Sequence, residues 1–234
     1  MNVPVAASLS LTHVNYNPDD PLSYLAALLS LVPQALCVIY VTLIWSSREL
    51  EVLLMFAGQM LCEALNFALK RLIREERPPQ TYGRGYGMPS SHAQFVAFFS
   101  LSLTLFLLVR HVPDTTNSNH SAATFTQRAT VSMLACVSAA AVASSRVYLN
   151  YHTPKQVLAG YAAGLIFAAV WFVFTAYLRH AGWVDWALDL SVSRMARMRD
   201  LVVVEDLVEA GWQHWLEKMS KRKGEAGSNK DKTS

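Results

Sequence analysis

The chain has no Lys or Arg before Arg48, few charges anywhere, and three cysteines without the spacing of a disulfide framework or metal site. Each scarcity excludes something. Charged residues make up 16% of 234 positions and the formal net charge is only +3, too small an excess to point to nucleic acid, and no aromatic-basic stacking pattern accompanies it. Cys37, Cys62 and Cys136 all fall within apolar runs and read as small buried apolar residues. Acidic residues form no cluster suited to Mg²⁺, since Glu75 and Glu76 are adjacent and read as a solvated turn, so neither a metal nor another cofactor is expected. Apolar positions do not alternate as membrane-barrel strands would, and no internal repeat is visible. With no basic residue ahead of the first apolar run, a cleaved signal peptide is not expected and the first span should be retained.

Hydrophobic content is 53%, bunched into long runs. A hydrocarbon core about 30 Å thick needs roughly 20 apolar residues per helix, and five runs meet that length: Pro21 to Ser46, Leu50 to Leu72, His92 to Val109, Gln127 to Val147 and Val157 to Leu178. The expected fold is all-α, a polytopic membrane helical bundle. Residues 1–20 form an N-terminal segment, 21–180 the membrane domain, 181–223 an interfacial segment and 224–234 a polar tail expected to be disordered. Trp183 and Trp186 read as interfacial. From Arg197 to Lys223, Leu201, Val204, Val208, Trp212, Trp215 and Met219 recur at helical spacing, which predicts an amphipathic helix on a membrane surface or packed against the domain or a partner.

An odd number of spans puts the N-terminus, the Arg71 to Ser91 loop and the Arg146 to Gln156 turn on one side and the tail on the other. The tail carries Arg194, Arg197, Arg199, Lys218, Lys221, Arg222 and Lys223, so the positive-inside rule predicts that it is cytosolic. The basic residues of the Arg71 to Ser91 loop oppose this, and are read as recruited for a ligand. The sequon at Asn119 then faces the cytosol.

Three clusters share the other side: KRLIREERP with Lys70, Arg77 and Pro78; MPSSH ending in His92; and SRVYLNYHTPKQ with Arg146 and His152. Lone basic residues at span ends, such as Arg48 or Arg110, read as snorkelling side chains. Three cations converging with two histidines are a different object. Arg suits bidentate phosphate contacts and Lys adds a point charge. Ser90 and Ser91 read as caps of the third span, and Thr153 with Pro154 as N-cap and N1 of the fifth, so two positive helix ends point at one place. The same field opposes protonation of an imidazole, as a nucleophilic histidine requires. Phosphoryl transfer through a phosphohistidine, with the cations stabilising the equatorial oxygens, follows as the leading mechanism, and it needs no metal.

Lys70 followed after six residues by Arg77-Pro78, then Pro89-Ser90-Ser91-His92, then Ser145-Arg146 followed after five residues by His152, resembles the three-part signature of the type 2 phosphatidic acid phosphatase superfamily. The resemblance implies that His152 is the nucleophile and that His92 protonates the leaving group and then activates water. It also implies that Lys70, Arg77, Ser90 and Arg146 hold the phosphate with backbone help around Ser91. YGMPSSHAQF, SRVYLNYHT with the following QV and G, and the early LTHVNY look like the dolichyl diphosphate phosphatases of the endoplasmic reticulum. That resemblance implies a polyprenyl (dolichyl) diphosphate substrate, hydrolysed to dolichyl phosphate and phosphate on the luminal face, recycling the carrier of protein N-glycosylation.

This chain departs from the superfamily pattern in two places. Ser91 stands where a glycine is usual, and Gln156 stands where an aspartate usually follows the nucleophile by four residues. An aspartate would orient the imidazole and stabilise its charged state. Gln156 can still orient the nucleophile by accepting its ring N–H, but as an amide it does not neutralise a developing positive charge. Such a site suits a good leaving group, which links the glutamine to diphosphates. The alternatives are a phosphatase of another lipid phosphate or diphosphate, and a non-catalytic lipid-diphosphate binding or flipping protein. Glu63 and Asn66 offer either a proton or substrate path or a polar contact between spans. Tyr82, Arg84 and Tyr86 lie beside the site and read either as an ordinary interfacial loop or as residues that gate it or touch substrate, and His13, His111, His120, His180 and His214 read as surface histidines.

Overall fold

The computed structural model describes residues 7–9, 14–79, 85–112 and 123–231. Tyr82, Arg84, His13, His120 and the Asn119 sequon lie outside them. Among the described residues, five helical stretches are long and apolar enough to cross a membrane: Pro21–Ser47, Leu50–Ile73, Ser91–Arg110, Phe125–Tyr148 and Pro154–His180. They follow the five apolar runs closely. Side chains such as Val38, Trp45, Phe67, Leu134, Leu158 and Ile166 are exposed along these helices, as lipid-facing positions require.

The first span is not one helix. α1 covers Pro21–Leu29 and α2 Val32–Ser47, with a turn at Ser30 and Leu31 between them. Pro33 explains the break. It has no N–H to give the carbonyl of Leu29, and its ring crowds the turn before it, so the chain closes instead through Ser30 N to Ala27 O (3.2 Å) and Leu31 N to Leu28 O (3.0 Å).

α3 (Leu50–Ile73) ends at Arg74 in the left-handed region. α4 (Ser91–Leu105), continued by a π-helical turn at Phe106–Arg110, is the central helix: Ala93 and Phe95 to Phe98 are all buried, as in a helix apolar all round. α5 (Phe125–Tyr148) and α6 (Pro154–His180) pack on it. Gly160 and Gly164, one turn apart on α6, set the α4 contact. A Cβ at Gly160 would collide with the backbone of Ser90, and one at Gly164 with the carbonyl of Gln94, so only glycine lets the two backbones approach this closely. Between α3 and α4, Asn66 Nδ2 donates to Gln94 Oε1 (2.7 Å), and Gln94 Nε2 to Cys62 O (2.9 Å). Asn66 therefore makes a contact between spans.

The fold is all-α as expected, with two features that the sequence reading did not anticipate. Ala7–Leu9 (β1) and Val14–Tyr16 (β2) form a short antiparallel pair on the N-terminal side, where Asn15 N donates to Tyr151 Oη (2.9 Å). At the other end, α7 (Trp183–Asp189) and α8 (Ser191–Ala196) precede an irregular segment, and the last helix, α9, starts only at Leu207 and runs to Asp231. Leu201 and Val204 thus lie outside it, and helix extends past the Gly224 boundary at which a disordered tail was expected.

The irregular segment is a clasp. Leu201 N and Val202 N donate to Glu49 Oε2 (2.8 and 3.0 Å), Arg199 pairs with Glu49 (2.7 Å), and His111 Nδ1 contacts Val202 O (2.6 Å). Buried Glu51 joins Arg110 (2.7 Å) and Arg179 (2.5 Å), and Arg179 also pairs with Asp200. Arg110 is therefore not a snorkelling residue, nor is His111 a surface one: at 6% exposure it is part of the clasp.

Candidate active site

At the opposite end of the bundle from the clasp, the last turn of α3 supplies Lys70, the first turn of α4 Ser91 and His92, and the last turn of α5 Arg146. The loop between α5 and α6 supplies His152. Arg77 follows α3 and reaches across to this loop, donating through Nη1 to Tyr151 O (3.2 Å) and toward His152 Nε2 (3.4 Å). The site residues singled out in the sequence thus come together on one face.

His152 is 4% exposed. Its Nδ1 lies 2.9 Å from Gly87 O and 3.3 Å from Gln156 Oε1. Both are acceptors, so the ring proton sits on Nδ1 and the lone pair is left on Nε2. Burial, reinforced by the charges of Arg77, Lys70 and Arg146, pulls the His152 pKa down to about 3, with Gln156 opposing the shift. The ring is therefore neutral at neutral pH.

Gln156 is fully buried, and its amide orientation is determined by its partners. Oε1 accepts from Thr153 N (3.2 Å) as well as from the His152 ring, and Nε2 donates to Glu76 O (2.7 Å) and Glu75 Oε1 (3.1 Å). Thr153 Oγ1 in turn accepts from Gln156 N (3.3 Å), completing a capping box with Pro154 next in the helix. Glu75 and Glu76 are thus bound to α6, in contrast to the solvated turn expected from the sequence. Burial does not explain the low pKa of the Glu75 carboxyl. It is held below the usual carboxylate range by its hydrogen bonds to Lys155 and Gln156.

Several buried donors have no partner among the described residues: Arg146 Nε and Nη1, Arg77 Nε and Ser90 Oγ. Arg146 is 2% exposed, with its guanidinium 4.8 Å from the Tyr151 ring centroid. Such donors are costly to bury unless an anion takes them. Ser90 is the N-cap of α4, but its side chain makes no capping bond, which leaves its hydroxyl among these donors; Ser91 is already the first helical residue.

Two positioning groups were not singled out from sequence because both are main-chain carbonyls. One is Gly87 O, described above; a Cβ at Gly87 would lie 2.7 Å from the Gln156 amide. The other is Ser30 O, 3.2 Å from His92 Nε2. Pro33 and the glycine of the YGMPSSH stretch were the legible signals. Beside His92, a cavity of ≈ 320 Å³ opens between α2, α3 and α4, with Gln34, Met60, Glu63 and Phe95 among its walls.

This is the architecture of a membrane bundle with cationic side chains and two histidines gathered at one end of its spans. The model of the PAP2 superfamily matches residues 49–180. The "Putative dolichyldiphosphatase" of Neurospora crassa is 50% identical, covering 95% of this chain and 96% of that one. Dolichyldiphosphatase 1 of Homo sapiens is 43% identical over 71% of each chain. Among solved structures, the transmembrane PAP2-type phosphatidylglycerolphosphate phosphatase of Bacillus subtilis superposes with a TM-score of 0.53 at 23% identity, over 68% of this chain and 79% of that one, a likeness of fold. The chain belongs to the PAP2 superfamily and is an enzyme of the phosphatase class.

Proposed function

We propose that the chain hydrolyses a polyprenyl diphosphate, dolichyl diphosphate, to the monophosphate and phosphate through a phosphohistidine on His152. The observation that carries this reading is the pairing of an imidazole whose unprotonated Nε2 faces the Arg77 guanidinium with buried guanidinium and hydroxyl donors that have no partner among the described residues. Nε2 attacks the terminal phosphorus while Lys70, Arg77, Arg146, Ser90 and the N–H groups at the start of α4 take the equatorial oxygens. The bond to the bridging oxygen breaks and its electron pair leaves with the dolichyl phosphate. Water then attacks the phosphohistidine and returns His152 to its starting state.

His92 favours a diphosphate over a monoester. Its Nε2 faces the Ser30 carbonyl, which only accepts, so in the neutral ring Nδ1 is a proton acceptor. It is suited to deprotonating the water of the second step. A departing phosphate needs little protonation, whereas an alkoxide needs a proton that this tautomer does not offer. Names of the relatives point to the same substrate, and the cavity beside His92 supports entry of a lipid between spans.

The biological reading is a luminal site in the endoplasmic reticulum membrane with a cytosolic tail, regenerating the lipid carrier of N-glycosylation. It is supported by the basic residues of the tail and by placement of the site at the opposite end of the bundle from the clasp.

Purified protein in detergent, assayed side by side on polyprenyl diphosphate, polyprenyl monophosphate and phosphatidic acid, tests the reading. The diphosphate should be preferred, and His152→Ala should abolish phosphate release and the alkali-stable, acid-labile phosphoenzyme while leaving lipid binding intact. Release surviving in His152→Ala would sink the mechanism.

A further inference from the structure

We propose that Glu75 is a positioning residue for the nucleophile, supplying through Gln156 the negative charge that an aspartate would otherwise bring to the His152 ring. This rests on the reading of His152 as the nucleophile.

The chain of contacts is continuous. His152 Nδ1 donates to Gln156 Oε1 (3.3 Å), and Gln156 Nε2 donates to Glu75 Oε1 (3.1 Å). The other Glu75 oxygen takes Lys155 Nζ (3.0 Å). Bonding of Nε2 to phosphorus leaves the ring cationic, because Nδ1 keeps its proton. An amide alone offers that cation only a dipole. An amide with one N–H bound to a carboxylate and the other to the Glu76 carbonyl is polarised toward Oε1, so the charge behind it is felt at the ring. No proton moves along the chain: the N–P bond forms, the bond to the bridging oxygen breaks, and the relay carries only polarisation.

The placement has a sequence cause. Glu75 lies in the turn that joins Lys70 to Arg77, so the segment delivering two phosphate cations also delivers the carboxylate. Gly87 N donates to Glu75 O (2.7 Å), which binds this turn to the loop whose Gly87 carbonyl touches the same ring. The sequence therefore moves the acid from the α6 position to the α3 turn, and an amide at 156 bridges the two.

Glu75 is 31% exposed, so solvent screens part of its effect. A loss smaller than the roughly 10⁴-fold cost of neutralising a directly bonded triad aspartate is therefore expected. Glu75→Gln should lower kcat on polyprenyl diphosphate by about tenfold or more, with KM within about twofold. Lys155→Met, which removes only the exposed partner, should stay near the wild-type rate. The decisive variant is the exchange Glu75→Gln with Gln156→Asp. It returns a carboxylate to the ring without a second one opposing it, and should recover much of the rate lost in Glu75→Gln. Gln156→Asp alone places two carboxylates together and should not gain as much.

Wild-type kcat in Glu75→Gln, losses that simply multiply in the exchange variant, or a Lys155→Met loss equal to that of Glu75→Gln would each overturn the proposal. Thermal midpoints in detergent separate misfolding from lost catalysis, and if Glu75→Gln does not fold, Glu75→Asp read by the same kcat and KM split takes its place. Activity surviving in His152→Ala would instead remove the reading on which the proposal rests, so the two failures are distinct.

Discussion

The carbonyl of Ser30 sits 3.2 Å from Nε2 of His92, joining the break in the first span to the start of the third. Ser30 is fully buried, and the Gln34 amide, turned to satisfy both its atoms, also reaches this carbonyl at 3.0 Å. The two donors fill the acceptor that the Pro33 break leaves open.

Replacing Pro33 with Ala should let the first span run as one helix, with Gln34 N–H capturing the carbonyl. His92 would lose its anchor. The expected result is a fall in kcat of about tenfold or more with a thermal midpoint unchanged or raised, because a near-angstrom misplacement of a reacting group is costly while an added helical bond is not. Unchanged kcat would show that the ring is held by other contacts.

Gly87→Ala should displace the Gln156 side chain, since the new methyl would lie 2.7 Å from both amide atoms. His152 then loses one of its two acceptors and Glu75 its link to the ring. A drop in kcat on the order of 10²-fold is expected, measured on the purified enzyme at saturating diphosphate. A variant with native kinetics would remove Gln156 from the orienting role.

The depressed pKa of His152 has a consequence for stability. With a folded value of about 3 and an ordinary value of 6.5, the unfolded chain binds a proton in this window that the folded chain refuses. Stability therefore falls as pH drops from 6.5 toward 3. Wild-type protein should lose more of its thermal midpoint between pH 6.5 and 4 than His152→Gln does. Parallel acid profiles for the two would contradict the shift.

Glu51→Gln should cost about 3–5 kcal/mol, the range for breaking a buried pair, because it leaves Arg110 and Arg179 without their shared carboxylate. Arg194→Ala, which breaks a pair exposed on both sides, should cost no more than about 0.5 kcal/mol. Thermal or denaturant unfolding in detergent distinguishes them, and equal effects would mean that the Glu51 network does not bear on stability.

The spans were legible because membrane thickness imposes a length on apolar runs. The co-location of Lys70, Arg77, His92, Arg146 and His152 on one side followed from counting crossings. What escaped are interactions that no side-chain letter announces. Gly87 and Ser30 act through carbonyls, and Glu75 looked solvated because its partner, Gln156, is 81 positions away. The late start of α9 escaped for a different reason. Leu201 and Val204 kept helical spacing, yet the free N–H groups of Leu201 and Val202 found a better partner in Glu49 than in a helix of their own.

The clasp has a practical meaning for anyone shortening the protein. The superfamily match ends at residue 180, and trimming there would look harmless on a domain map. It would instead strip Glu49 of Arg199, Leu201 and Val202, and Arg179 of Asp200, exposing stranded charges where three spans meet.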